Sequence, residues 1–266
     1  MADRALITIE GLAFAYDGMA RTLEAVDLSV AAGERVGIVG PNGAGKSTLF
    51  LCLTGVLQGY GGRIAIDGLS PGTAGQLPAL RRKVGMVFQS SDDQLFNPTV
   101  LEDVAFGPIN LGMPREAALA AAREALARVG IEPGLHGRPP HQISNGQKRR
   151  VALAGILAMS PIVLLLDEPT SDLDPRGRAE LIELLRGLGG THLIAGHDLE
   201  MIRQTCGRVV LLDAGQIVAD GPTDTIFADE ALMHGHGLFV PHSLQCCHDH
   251  GDGAAHRHAA ADHSNA

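Results

Sequence analysis

The 266-residue sequence holds no tryptophan, two tyrosines and seven phenylalanines. Its core must therefore be built mostly from Ala, Val, Leu and Ile. Lysine is nearly as scarce, occurring only at 46, 83 and 148. The 21 basic residues are outnumbered by 30 acidic ones, for a formal charge of -9. That excludes a chain held mainly by nucleic-acid phosphates, which requires a basic face. No apolar run reaches the roughly 20 residues of a membrane span; the longest, 151–166, is broken by Gly155, Ser160 and Pro161. The first residues lack a basic segment followed by an apolar one, so no signal peptide and a cytosolic setting are expected. In that setting Cys52, Cys206, Cys246 and Cys247 are not expected to form structural disulfides.

What is present is a folding composition, 45% hydrophobic and 19% charged, in a length that suits one core with an inserted subdomain. Residues 5–16, 35–39, 63–67 and 81–89 have strand patterns, and 46–56 follows a Gly-rich loop as a helix. Between 90 and 160 the pattern turns helical, over 100–106, 114–129 and 144–159. Then 162–167 is a continuous apolar strand, as expected of a sheet buried on both faces. A helix at 175–188, a strand at 191–195, a helix at 199–205 and a hairpin over 208–219 follow. From 234 the chain is rich in His, Ala, Gly and Asp without periodicity, which predicts a mobile tail over 234–266.

Residues 40–47, Gly-Pro-Asn-Gly-Ala-Gly-Lys-Ser, fit the phosphate-binding loop G-x4-G-K-[ST]. Glycines let successive backbone N–H groups curl around phosphate oxygens, and the helix that follows adds its N-terminal dipole. Gly40, Pro41, Asn42, Gly43, Ala44, Gly45, Lys46, Ser47 and Thr48 are the candidate nucleotide contacts. Lys46 supplies a point charge for the β- and γ-phosphates, and Ser47 a hydroxyl for Mg²⁺. The apolar strand 163–166 runs into Asp167 and Glu168. It is too apolar to hold carboxylates along its length, so both are expected at its C-terminal end, where ligands sit in open α/β sheets. Asp167 is a candidate Mg²⁺ ligand and Glu168 the candidate base for an attacking water.

Further motifs complete a pattern. Ile143-Ser144-Asn145-Gly146-Gln147 stands 20 residues before Asp167 and resembles the L-S-G-G-Q signature of ABC ATPases. The resemblance covers about residues 5–228. It implies a P-loop NTPase (RecA-like) α/β core with an N-terminal antiparallel β part and an inserted helical subdomain at about 90–160, within an ATPase domain of residues 1–233. It also implies roles: Tyr16 stacks on adenine, Gln89 links Mg²⁺ to the helical insert, and His197 touches the γ-phosphate. Ser171-Asp172-Leu173-Asp174 corresponds to the D-loop. Ser144, Gly146 and Gln147 would reach the ATP held by a second subunit, which makes a homodimer the expected ATPase unit. Asn145 replaces the first signature glycine; since Asn tolerates a left-handed backbone, the turn is expected to survive.

Residues 91–108, and 146–155 likewise, resemble energy-coupling-factor ATPases, especially those of cobalt and nickel importers. In that family this region grips a membrane coupling subunit, itself joined to a substrate-specific membrane subunit. The apolar Leu95, Phe96, Val100 and Phe106 suit such a role, and the ATPase would sit peripherally on the cytoplasmic face of the membrane. Eight of the twelve histidines fall after residue 233. Cys246, Cys247, His248, His250, His256 and His258 form a loose candidate site for Ni²⁺ or Co²⁺. The expected function is ATP-driven import of cobalt or nickel. Alternatives are an ABC ATPase for a vitamin or other substrate, a soluble ABC ATPase of DNA repair or translation, and a P-loop nickel metallochaperone. The last needs a guanine-reading N-K-x-D motif, and none of the three lysines follows Asn.

Overall fold

The computed structural model describes residues 5–18 and 20–245. Among these described residues nine strands form two sheets. β1 (Ala5–Ala15), β2 (Arg21–Ala31) and β4 (Gly61–Ile66) make an antiparallel sheet with β1 in the centre. The second sheet has six strands in the order β5-β6-β7-β3-β8-β9. Its members are β3 (Arg35–Val39), β5 (Val84–Val87), β6 (Val163–Asp167), β7 (Thr191–Ala195), β8 (Arg208–Asp213) and β9 (Gln216–Pro222). All neighbours in it are parallel except the β8–β9 hairpin.

The period of two along each strand divides the core into two layers. Val36, Ile38, Val163, Leu165, Leu193, Val210 and Leu212 pack on one face with the three-stranded sheet and with Leu49, Phe50 and Leu53 of α1 (Lys46–Leu53). The alternate residues, Leu164, Leu166, Ile194, Val209 and Leu211, face the helices on the other side. These include α3 (Val100–Asn110), α4 (Arg115–Arg128) and α5 (Asn145–Leu157), which lie between β5 and β6 in the chain, and then α6 (Pro175–Gly187) and α7 (Leu199–Thr205). Both faces are covered along β5 and β6, which are apolar up to Asp167, while the edge strand β9 alternates exposed and half-buried residues.

Three expectations need correction. Strand β2 was missing from the sequence pattern: Leu23, Val26, Leu28 and Val30 point inward, but the bulges against β1 break the alternation. Residues 81–83 belong to helix α2 (Leu77–Lys83), not to the following strand; Pro78 near its start and three basic residues in its last turn favour the helix. Residues 234–245 are not a free tail. After α8 (Thr223–Ala228), helix α9 (Glu230–Gly235) and the segment beyond it bury Met233, Leu238 and Val240 in the helix-side core. His236 Nδ1 lies 2.7 Å from Asp213 Oδ2, and Ser243 bonds Glu200 from α10 (His242–Gln245). Composition concealed this because the apolar residues there are confined to Leu238-Phe239-Val240 and Leu244, set among His, Gly and Ser. The candidate metal ligands Cys246, Cys247, His248, His250, His256 and His258 lie outside the described residues.

Leu165 is fully buried in the sheet. Leu165→Ala should lower unfolding free energy by about 2–5 kcal/mol, read from the urea midpoint of the nucleotide-free chain at unchanged m-value.

Candidate nucleotide site

Parallel pairing brings the C-terminal ends of β3, β7, β6 and β5 to one edge. The loop after β3 carries Gly40–Ser47, β6 ends in Asp167, His197 follows β7 by two residues, and Gln89 follows β5 by two. The sequence-chosen residues Gly40 to Thr48, Gln89, Glu168 and His197 line one cleft of about 630 Å³, together with Thr22, Gly237 and Leu238.

Glycine is required at two points of the loop. Gly40 has φ +152°, and a Cβ there would stand 1.9 Å from the Leu212 carbonyl oxygen. Gly45 caps α1 at φ +107°, where a Cβ would meet the Thr22 oxygen at 2.8 Å. Lys46 is 7% exposed, and its ammonium donates to the carbonyls of Gly40 (2.8 Å) and Pro41 (3.1 Å) across the loop. Burial holds its pKa below the usual lysine value, against the pull of Glu168 and Asp167. Tyr16 donates to, or accepts from, Thr48 Oγ1 at 3.3 Å and stands edge-on to Phe14.

Asp167 is buried, and its Oδ1 has no hydrogen-bond partner. Burial raises its pKa; the Ser47 hydroxyl bonded to it opposes this, the Glu168 charge adds to it, and Lys46 opposes it. A carboxylate oxygen, a hydroxyl and an orphaned acceptor suit a hard divalent cation such as Mg²⁺. Glu168 occupies a left-handed conformation (φ +47°), anchored by its N–H on the Ala195 carbonyl at 2.8 Å. Its Oε2 lies 2.7 Å from His197 Nδ1 and accepts the His197 backbone N–H at 3.3 Å.

Ser144 is the N-cap of α5 and forms a reciprocal capping box with Gln147: Ser144 Oγ accepts the Gln147 N–H at 3.3 Å, and Gln147 Oε1 accepts the Ser144 N–H at 2.9 Å. Asn145 opens the helix without a positive φ, so left-handed tolerance is not what this position demands. Ser144, Gly146, Gln147 and Asp174 line a separate cleft of about 420 Å³, which shares no residue with the phosphate-loop cleft. Asp174 is spent locally as the N-cap of α6, its Oδ1 accepting the Gly177 N–H at 2.7 Å.

Sequence reasoning missed two polar hubs. Asp198 caps α7 and takes a two-pronged ion pair from Arg178 (2.6 and 2.7 Å) plus the Thr170 hydroxyl, fixing the turn beside His197. These bonds overcome burial and hold its carboxyl below the usual range. Arg149, 3% exposed, donates to the carbonyls of Phe88, Gln89 and Ser171. The Asp at a helix start after β7 carried a capping signal for the first hub; nothing local marked the second.

The ABC transporter family profile matches residues 23–171. The energy-coupling factor transporter ATP-binding protein EcfA of Methanothermobacter thermautotrophicus is 45% identical over 240 residues, 89% of this chain and 77% of that protein. The cobalt import ATP-binding protein CbiO of Rhodobacter capsulatus is 45% identical over 240 residues, 89% and 85% respectively. The structure of CbiO1 from Clostridium perfringens, part of the ABC transporter complex CbiONQ, matches with a TM-score of 0.77 at 36% identity, covering 91% of this chain and 98% of that one.

The raised carboxyl of Asp167 has a thermodynamic sign. It binds its proton more tightly folded than unfolded, so its contribution is complete below the unfolded pKa and is lost as pH rises through the folded value. At neutral pH, above the unfolded value, burial of this carboxyl with Oδ1 unpartnered destabilises the metal-free chain. Asp167→Asn should therefore raise its melting temperature at pH 7, with the gain closing as pH falls through the ordinary carboxylate range. The same variant should lose the thermal upshift given by Mg²⁺ with ATP.

Proposed function

The chain belongs to the ABC transporter ATP-binding family and is an ATPase of the energy-coupling-factor type, and we propose that it energises import of a transition-metal ion, cobalt or nickel, through partner membrane subunits. The observation that carries the mechanism is the separation of the two clefts: the loop that holds phosphate and the signature turn that would complete its enclosure face different spaces in one chain. A second copy supplies the missing half. In this reading the loop amides and Lys46 bind the β- and γ-phosphates, and Tyr16 stacks on adenine. Ser47, Asp167 and Gln89 would hold Mg²⁺, which would supply charge neutralisation on the phosphates. Glu168 takes the proton of the attacking water, and His197, bonded to Glu168 here, moves between that carboxylate and the γ-phosphate. The partner's signature residues Ser144, Gly146 and Gln147 and its D-loop residue Asp174 close the site. Phosphoryl transfer needs positioning and charge stabilisation more than covalent chemistry, and these groups provide both.

The membrane partner is assigned to the groove between the sheet edge and the helical insert. It is an apolar cleft of about 560 Å³ lined by Val56, Met86, Phe88, Phe96, Phe106 and Ile156 among others. Phe96 is 64% and Phe106 41% exposed, packed edge to face. Asp103 at its wall bonds the Phe96 and Asn97 amides through Oδ1, while Oδ2 is buried without a partner; a donor on a docking helix would satisfy it. No helix among the described residues is long and apolar enough to cross a membrane; in this reading attachment at the cytoplasmic face runs through the groove. The metal reading is supported by the name of the cobalt-importing relative and by the His- and Cys-rich segment after residue 245, a candidate Ni²⁺ or Co²⁺ chelator.

Glu168→Gln should lower ATP turnover by about 100-fold or more, as expected for loss of a general base, and accumulate an ATP-bound dimer on gel filtration. Wild-type turnover would remove Glu168 as base. Phe96→Asp should abolish co-purification with the membrane subunits while leaving basal ATPase activity intact. Removing residues 246–266 should leave ATPase activity unchanged and lower the Ni²⁺ or Co²⁺ bound in equilibrium dialysis; equal retention would take the tail out of the metal assignment.

A further inference from the structure

Arg149 lies on the signature helix α5, five residues beyond Ser144, and its guanidinium reaches three residues in two other segments of the site. One terminal nitrogen donates to the Phe88 carbonyl at 2.8 Å. The other donates to the Gln89 carbonyl at 2.6 Å, the Ser171 carbonyl at 3.2 Å and the Ser171 hydroxyl oxygen at 3.0 Å. The Ser171 hydroxyl, having accepted from Arg149, donates its own proton to the Glu168 carbonyl at 2.8 Å. One unbroken chain of hydrogen bonds thus runs from the signature helix, past the segment that carries Gln89, to the peptide of Glu168.

That peptide needs holding. Glu168 is a non-glycine residue at φ +47°, a conformation that persists only where surrounding bonds over-determine it. Its N–H is fixed on Ala195 and its carboxylate on His197, while its carbonyl is fixed by Ser171. The opposite end of the link is equally committed. At 3% exposure both terminal nitrogens of the guanidinium are spent on acceptors, while its Nε is buried without a hydrogen-bond partner, and its planar fork addresses several carbonyls at once, which an ammonium does not.

We infer that Arg149 is a positioning residue for hydrolysis, tying the turn of Glu168 and the Gln89 segment to the signature helix so that the three move as one unit. The inference rests on the reading of Glu168 as the base. A rotation of the helical insert against the core would then be felt at Glu168 through Arg149 and Ser171, not through general loosening of the fold. Arg149 touches no phosphate-loop residue, so its loss acts on turnover and not on nucleotide affinity.

The test measures kcat, KM for Mg²⁺-ATP and melting temperature of the full chain carrying Arg149→Lys, Arg149→Met, Ser171→Ala and the Arg149→Met/Ser171→Ala pair. Both Arg149 variants should lose at least tenfold in kcat with KM within threefold of wild type, since neither Lys nor Met rebuilds the fork. Ser171→Ala should lose at least threefold in kcat, again at constant KM. The double variant should turn over within twofold of Arg149→Met, because both changes cut one link. Wild-type kcat in Arg149→Lys, or losses that multiply in the double variant, would overturn the inference. Should the Arg149 variants fail to fold, Ser171→Ala decides alone, and wild-type kcat there rejects the link. Glu168→Gln is assayed beside them: turnover kept in that variant removes the base, whereas turnover lost there and kept in Arg149→Lys and Ser171→Ala removes only the positioning role.

Discussion

The parallel pairing of β5, β6, β7 and β3 is the constraint on which the rest depends. Strands covered on both faces leave little room for charge along their length. The ionisable groups therefore gather where the strands stop, and parallel strands stop at the same edge. The phosphate loop, Asp167, Glu168, His197 and Gln89 come from four segments spread over more than 150 positions, yet the sheet delivers them to one rim.

Electrostatics at that rim is a balance held short of neutralisation. Burial disfavours charge on both Lys46 and Asp167, and the two oppose that tendency in each other. Lys46 is satisfied by carbonyls of its own loop, while Asp167 keeps one oxygen without a partner. A site arranged in this way favours a ligand that brings both anionic phosphate and a divalent cation, since each relieves one side. The surrounding turns are held by side chains with no part in binding: Asp198 with Arg178 beside His197, and Arg149 with Ser171 beside Glu168.

The molecule is also incomplete by geometry. Its signature turn faces a cleft apart from its phosphate loop, and an apolar groove lies between the sheet edge and the helical insert, beside exposed Phe96 and Phe106. Under the proposed function the first deficit is met by a second copy and the second by a membrane subunit. Arg149 stands between them, on the helix that carries the signature and against the segment that borders the groove, so the two unions need not be independent events.

The sequence by itself determined the local chemistry. A Gly-rich loop between strand and helix and a carboxylate pair closing an apolar strand each state their own conformation, because backbone dihedrals and two-residue periodicity are short-range properties. It also carried the family resemblance, which the shared profile over residues 23–171 bears out. Tertiary structure decided what depends on distant partners. Strand β2 exists because β1 offers it a bulged edge, and residues 234–240 pack because Met233, Leu238 and Val240 find an apolar face that their own composition does not announce. In the sequence Arg149 is the middle one of three consecutive bases, 148–150. Its burial beneath the carbonyls of Phe88, Gln89 and Ser171 follows only from where β5, β6 and α5 meet, since a guanidinium has no local signal for acceptors that lie 22 and about 60 residues away.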